Sequence, residues 1–237
     1  DDFLIRQLYY PFRTWSEKVT KAVKPIFLVF SNGIFNLYQY QFEDPRDYNS
    51  LILVKQRNYV ISTEIHLIDI ENLLRSLPIV PEPTVSFPQA DLLSRLINLV
   101  ELLHEQPMTK QDITTRYAFD ERQTNYYTDA GRYLGLIEKE RIDSSTTLFS
   151  LSAIGQRIMS LAYRERQLAI TAQILKHRVF NETLKLHLQS GEMPDKTTIV
   201  QIMKQSNLYH VEADSTYFRR ASTVIGWINW ILGIVEY

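Results

Sequence analysis

From residue 91 the chain places leucine at helical intervals. Leu92, Leu96, Leu99 and Leu103 of DLLSRLINLVELLHE share one stripe, and the spacing predicts a packing helix over 91–105 that stops before Pro107. Thr109 and Asp112 then open a short helix, TKQDITTRY. The next segment, residues 120–138 (DERQTNYYTDAGRYLGLIE), sets Tyr127, Ala130 and Leu134 on one side of a third helix and Arg122, Asn125, Asp129 and Arg132 on the other. Asp120 and Gln123 have capping-box spacing at its start, and Gly135 suits its end. Leu136 and Ile137, the polar tip 141–147 and the apolar run 148–151 predict a hairpin, after which Ser152 caps the helix SAIGQRIMSL.

Near the amino terminus the period shortens to two. Residues 26–31 (IFLVFS) and 34–42 (IFNLYQYQF) flank Asn32-Gly33, a strong hairpin signal because both turn positions accept positive φ. Short strands are expected at 51–54 and 58–61, a helix over 1–15 broken at Pro11, and another over 64–77. Pro78, Pro81, Pro83 and Pro88 mark a stiff linker.

The carboxyl-terminal part repeats the helical pattern. GLIE at 135–138 aligns with GIVE at 233–236, a displacement of 98 positions that pairs Arg122 with Arg220, Tyr127 with Ile225, Ala130 with Ile228 and Leu134 with Leu232. Residues 214–232 are therefore expected to form a second exposed helix, preceded by a long helix over 163–188 and a short one over 195–206. Trp227 and Trp230 are expected in the core. The fold class is α+β, mainly α: an α/β unit over 1–77, a linker over 78–88, and two winged helix-turn-helix modules over 89–161 and 162–237.

Three helices followed by a hairpin is the winged-helix order, which sets the third helix to enter a major groove of double-stranded DNA. The candidate contacts are Arg122, Gln123, Asn125 and Arg132 in the first such helix, Arg219, Arg220 and Thr223 in the second, and Arg141 in the wing. A row of bases between Arg157 and His187 also includes Arg164, Arg166, Lys176, Arg178 and Lys185, and of these Arg164, Lys176 and Arg178 are expected to hold phosphates together with the wing.

Net charge is −1 over 237 residues, so binding to a polyanion needs such local faces. Cysteine is absent, which excludes disulfides and thiolate metal sites and suits a cytoplasmic protein. No phosphate loop, GxGxxG or HExxH occurs, and the five histidines are scattered without metal-ligand spacing. Asp1 and Asp2 stand where a signal peptide would be basic, and the apolar run 223–235 is too short to span a bilayer, so no membrane partner is expected. The absence of an initiator Met is read as the mark of a fragment, or of numbering from an ordered part.

Gln7, Tyr10 and Arg13 of RQLYYPFR, followed by Lys24-Pro25 and the strand IFLVFSN, resemble the stretch after the acid-and-lysine strand in PD-(D/E)XK nucleases of the type II restriction endonuclease kind. The resemblance covers about 60 residues. It implies a Mg²⁺-dependent enzyme cutting double-stranded DNA, in which these four residues support the metal site or touch phosphate while the metal-binding acids precede Phe3. Two other readings fit the winged-helix pattern. A transcriptional regulator would act as a homodimer on palindromic DNA, and an interaction scaffold would use both modules on protein.

Overall fold

The structure is a computed structural model of the chain, and it describes residues 4–31, 34–61, 64–116, 121–144 and 146–236. The fold is α+β and mainly α, with 54% of the described residues in helix and 17% in strand. Contacts divide the chain between Ile61 and Ser62, earlier than the expected boundary at 77.

The first unit opens with α1 (Arg6–Lys18), which runs through Pro11 where a break was expected. Pro11 cannot donate to the carbonyl four residues back, but that carbonyl belongs to Gln7, an exposed residue of the first turn, where the loss of one bond is tolerated. Strands β1 (Ile26–Ser31), β2 (Ile34–Phe42) and β3 (Leu51–Val60) then form an antiparallel meander. Ser31 pairs with Ile34, so a two-residue loop joins the first two strands; Asn32 and Gly33 themselves lie outside the described residues. The two short strands expected at 51–54 and 58–61 are one strand, bulged opposite Gln39 and Tyr40. Buried Phe42 meets the rings of Tyr9 and Phe12 at 5.1 and 4.9 Å, which seats α1 on the sheet.

The second unit begins with α2 (Leu67–Ser76) and α3 (Leu93–Glu105). There follow β4 (Met108–Thr109), α4 (Lys110–Arg116), α5 (Glu121–Tyr133), β5 (Ile137–Arg141) and β6 (Thr147–Leu151). Winged-helix order is present, with one strand more than the sequence suggested: β4 pairs with β6, Met108 opposite Phe149, giving the order β4-β6-β5. Two residues are too few to show a period. The Thr109 and Asp112 cap is reciprocal, since the Thr109 N–H donates to the carboxylate at 3.0 Å and the Asp112 N–H to the Thr109 hydroxyl at 3.2 Å. Gly135 takes φ +69° and ends the turn after α5, and Ser152 ties that turn to the next helix by donating to its carbonyl at 2.6 Å.

Then come α6 (Ala153–Met159), α7 (Tyr163–Leu175), α8 (Arg178–Ser190), α9 (Lys196–Lys204) and α10 (Asp214–Gly233). The long helix expected over 163–188 is thus two helices. His177 is extended, with ψ 130°, and is buried with its ring stacked on Tyr133 at 4.1 Å. The Asn181 amide donates to the Leu175 carbonyl at 2.9 Å, serving a group that the break would leave bare.

Residues 78–88 are a strap on the core, not a spacer between domains. Phe87 is buried and stacks on Phe180 at 5.6 Å, the Val80 N–H donates to the Lys176 carbonyl at 3.0 Å, and Glu82 accepts from the Tyr133 hydroxyl at 2.5 Å. Burial, and then the Glu82 carboxylate, push the Tyr133 hydroxyl well above the ordinary tyrosine value. One apolar cluster runs from Ile65 to Val235 and takes in both expected modules, with Trp227 fully buried and Trp230 partly so. Helices α8, α9 and α10 follow the three-helix order but carry no strands among the described residues, so the second module has no wing there.

Candidate nucleic-acid interface

Helix α5 is built with two unlike faces. Thr124, Tyr127, Thr128, Ala130, Gly131 and Tyr133 are buried, while Glu121, Arg122, Gln123 and Asn125 are exposed in its first turn and a half. Gly131 permits this fit, because a Cβ there would lie 2.3 Å from the Ile137 side chain. The Asp120 half of the expected cap lies outside the described residues.

The polar face is ordered by its own contacts. The Arg122 guanidinium donates to the Tyr126 hydroxyl at 2.9 and 3.2 Å and lies 5.8 Å from that ring's centroid, so the side chain is held in place, with no acid pairing its charge among the described residues. Arg132 instead pairs with Asp129 at 2.8 Å, and Lys110 with Glu121 at 3.5 Å. In the wing, Arg141 folds back and donates to the carbonyls of Asp143 at 3.2 Å and Ser144 at 3.0 Å. Its role there is to brace the tip, which Asp143 closes by accepting from the Thr146 N–H at 2.8 Å.

On α10 the structure corrects the expectation. Arg219 is exposed, but Arg220 is only 9% exposed and Thr223 is fully buried, with its hydroxyl on the Asp91 carboxylate at 2.5 Å. Thr223 therefore faces α3 and not solvent. The buried faces of the two helices superpose at a displacement of 97, pairing Thr124, Tyr127, Ala130, Gly131 and Leu134 with Ala221, Val224, Trp227, Ile228 and Ile231. The counterpart of Arg122 is then Arg219. The GLIE and GIVE match misled by one residue because Gly135 terminates its turn at positive φ, whereas α10 continues through Gly233 without one.

In the basic row between 157 and 187, Arg157 and Lys185 are exposed, while the others are engaged. Arg164 pairs with Asp69 at 2.8 Å and donates to the Glu64 carbonyl, Arg166 donates to the Leu161 carbonyl, and Arg178 pairs with Glu182 at 2.6 Å and donates to the Gln205 carbonyl. Lys176 reaches Gln173 at 3.4 Å. Arg164 thus ties α7 to α2 and the segment before it, and Arg178 ties α8 to the end of α9, while the contacts of Arg166 and Lys176 are local.

In the first unit, Gln7, Tyr10 and Lys24 are exposed, and Arg13 donates to the Pro45 carbonyl at 2.9 Å while pairing with Glu17. Asp44 and Asp47 are engaged in their turn, accepting from the Arg46 and Asn49 N–H groups at 2.8 Å each. Among the described residues no group of three or more His, Asp and Glu converges. These donors do not fit Mg²⁺, which takes carboxylate oxygens in octahedral array.

A family model described as a domain of unknown function (DUF7226) matches residues 95–236, more than half of the chain. The chain belongs to this family. The DUF7226 range takes in α3 through α10, the helices that share one core, and a second domain of unknown function (DUF6997) matches residues 1–60. The two ranges fall on opposite sides of the division at Ile61. No curated protein and no solved structure is significantly similar to the chain. Among the described residues no helix is long and apolar enough to cross a membrane.

Proposed function

We propose that the DUF7226 region recognises double-stranded DNA through the first turns of α5 and the wing beside it. The observation that carries this reading is the division of α5: its inner face is fully buried, while Arg122, Gln123 and Asn125 stand out together from its amino-terminal half, the part that a winged helix offers to a major groove. Arginine pairs bidentately with guanine and asparagine with adenine, so these types in this place suit direct reading of base edges. The exposed Arg219 adds a second cation at the matching position of α10.

The first unit, by its resemblance, would belong to a type II restriction endonuclease. Because the described residues do not fit Mg²⁺, no cleavage step is assigned to them.

Selection of duplexes from a random pool, eluted over a salt gradient, tests the reading. One enriched motif is expected, and Arg122→Ala should weaken retention of it by about tenfold and relax one position of the motif. An unenriched pool that binds with a steep salt slope would leave backbone contact alone. No retention at low salt would overturn the reading in favour of a protein-binding scaffold.

A further inference from the structure

Arg220 breaks the pattern of its neighbours. Each half-buried arginine of the second unit has found an acceptor: Arg132 has Asp129, Arg164 has Asp69, Arg166 has the Leu161 carbonyl and Arg178 has Glu182. Arg220 is more deeply buried than any of these, yet its Nε and Nη1 are sealed from solvent with no hydrogen-bond partner. Among the described residues, none of the groups acting on its charge is a carboxylate; they are Arg219 and the hydroxyls of Tyr126 and Tyr217. Burial, and then Arg219, depress its pKa, but a guanidinium starts so high that it stays charged at neutral pH. A buried charge without a counter-ion is costly, and chains keep one where something else repays it.

The surroundings point to what is missing. Tyr126, which acts on Arg220, is the same ring that holds Arg122 through its hydroxyl at 2.9 Å, and Arg219 is exposed next along the chain. Arg219 and Arg220 are thus adjacent cations of α10, one exposed and one with two sealed nitrogens that no acceptor serves. Such a set is matched by an anion with several acceptor oxygens and planar edges for guanidinium, that is, a phosphate. We propose that Arg220 is held in reserve for a backbone phosphate of the duplex, and turns outward to meet it beside Arg219. This rests on the duplex-binding reading. It adds that binding energy is drawn from relief of a strained free state.

The experiment compares the full chain with Arg220→Met and Arg220→Lys, following thermal unfolding of each alone, with a short duplex, and with inorganic phosphate. Without ligand, Arg220→Met should melt about 2–4 °C above the parent chain, since an unpaired charge gives way to an apolar side chain of similar length. Its duplex affinity should fall about tenfold, and Arg220→Lys should fall between the two. If Arg220→Met melts lower and binds duplex as well as the parent, the residue is structural and the proposal fails, with DNA binding untouched. If no protein binds duplex but phosphate stabilises the parent and not Arg220→Met, the duplex reading fails while a site for free phosphate stands. If phosphate and duplex act alike on parent and variants, the proposal is overturned.

Discussion

Gly226 gives the sharpest test of how α10 is held. A Cβ built there would sit 2.5 Å from the carbonyl oxygen of Asp91, a backbone atom that cannot rotate away. Gly226→Ala must therefore push α10 from the chain entering α3 by most of an ångström. Two hydrogen bonds flank the contact: the Thr223 hydroxyl to the Asp91 carboxylate at 2.5 Å, and the Trp227 indole N–H to the Ala90 carbonyl at 2.7 Å. Overpacking of this kind costs about 1–3 kcal/mol, and stretching either bond adds to it at about 1 kcal/mol each. Against this stands about 0.5–1 kcal/mol that alanine gains over glycine inside a helix. The net loss should be about 2 kcal/mol, or roughly 4–8 °C in melting temperature for a unit of this size. Gly233→Ala, at the end of the same helix with nothing within 4 Å of its Cβ, is the matched control and should be neutral or slightly stabilising. Urea unfolding followed by tryptophan fluorescence reads both. Equal stability of the two variants would refute the close approach of α10 to Asp91.

Thr223→Val keeps shape and burial but removes the hydroxyl from Asp91; it should lower stability by about 1–3 kcal/mol and leave duplex binding unchanged, and a binding loss with intact stability would restore Thr223 to the interface. Asp69 accepts from the His66 N–H at 3.0 Å and pairs with Arg164 at 2.8 Å, and the first of these, then Arg164 against some desolvation, holds its carboxyl below the ordinary value. A depressed carboxyl stabilises above its unfolded pKa and loses that contribution as pH falls through the folded one, so the melting gap between the parent chain and Asp69→Asn should be widest near neutrality and close only as pH falls below the ordinary carboxylate range. A gap that stays constant into acid would remove Asp69 from the account.

The sequence made the first winged helix legible because its signals are local. The leucine stripe of α3, the reciprocal Thr109 and Asp112 cap, the divided faces of α5 and the positive φ of Gly135 each follow from residues within one or two turns. What escaped was decided by distant partners. The four prolines of 78–88 look the same in a free linker and in a strap, and only the seating of Phe87 on Phe180 and of Glu82 on Tyr133 separates the two. The break at His177 likewise had no glycine or proline to announce it, since the ring of Tyr133 and the amide of Asn181 make it. The pairing of Arg164 was hidden for the same reason, since Asp69 lies on another helix.

The one-residue slip on α10 shows why position on a helix outweighs motif matching when a binding residue is chosen. One position turns a helix by about 100°, enough to carry a side chain from solvent to core. Aligning the glycines at 135 and 233 exchanged Arg219 for Arg220, and the two differ in everything that matters: one is exposed, the other sealed with two unpartnered nitrogens. Apolar type alone did not reveal the slip, since Ile225, Ile228 and Leu232 also answer Tyr127, Ala130 and Leu134 at 98; burial does, because Val224, Trp227, Ile228 and Ile231 are the buried set and fit the Tyr127, Ala130, Gly131 and Leu134 face at 97. At the corrected register Arg122 and Arg219 are the paired exposed cations of two helices in one core. Arg220 then has no counterpart on the polar face of α5, because position 123 there is an exposed glutamine. A buried arginine without a counterpart in the repeat owes its place to no common packing rule, which is why its lost partner, and not its helix, is the thing to look for.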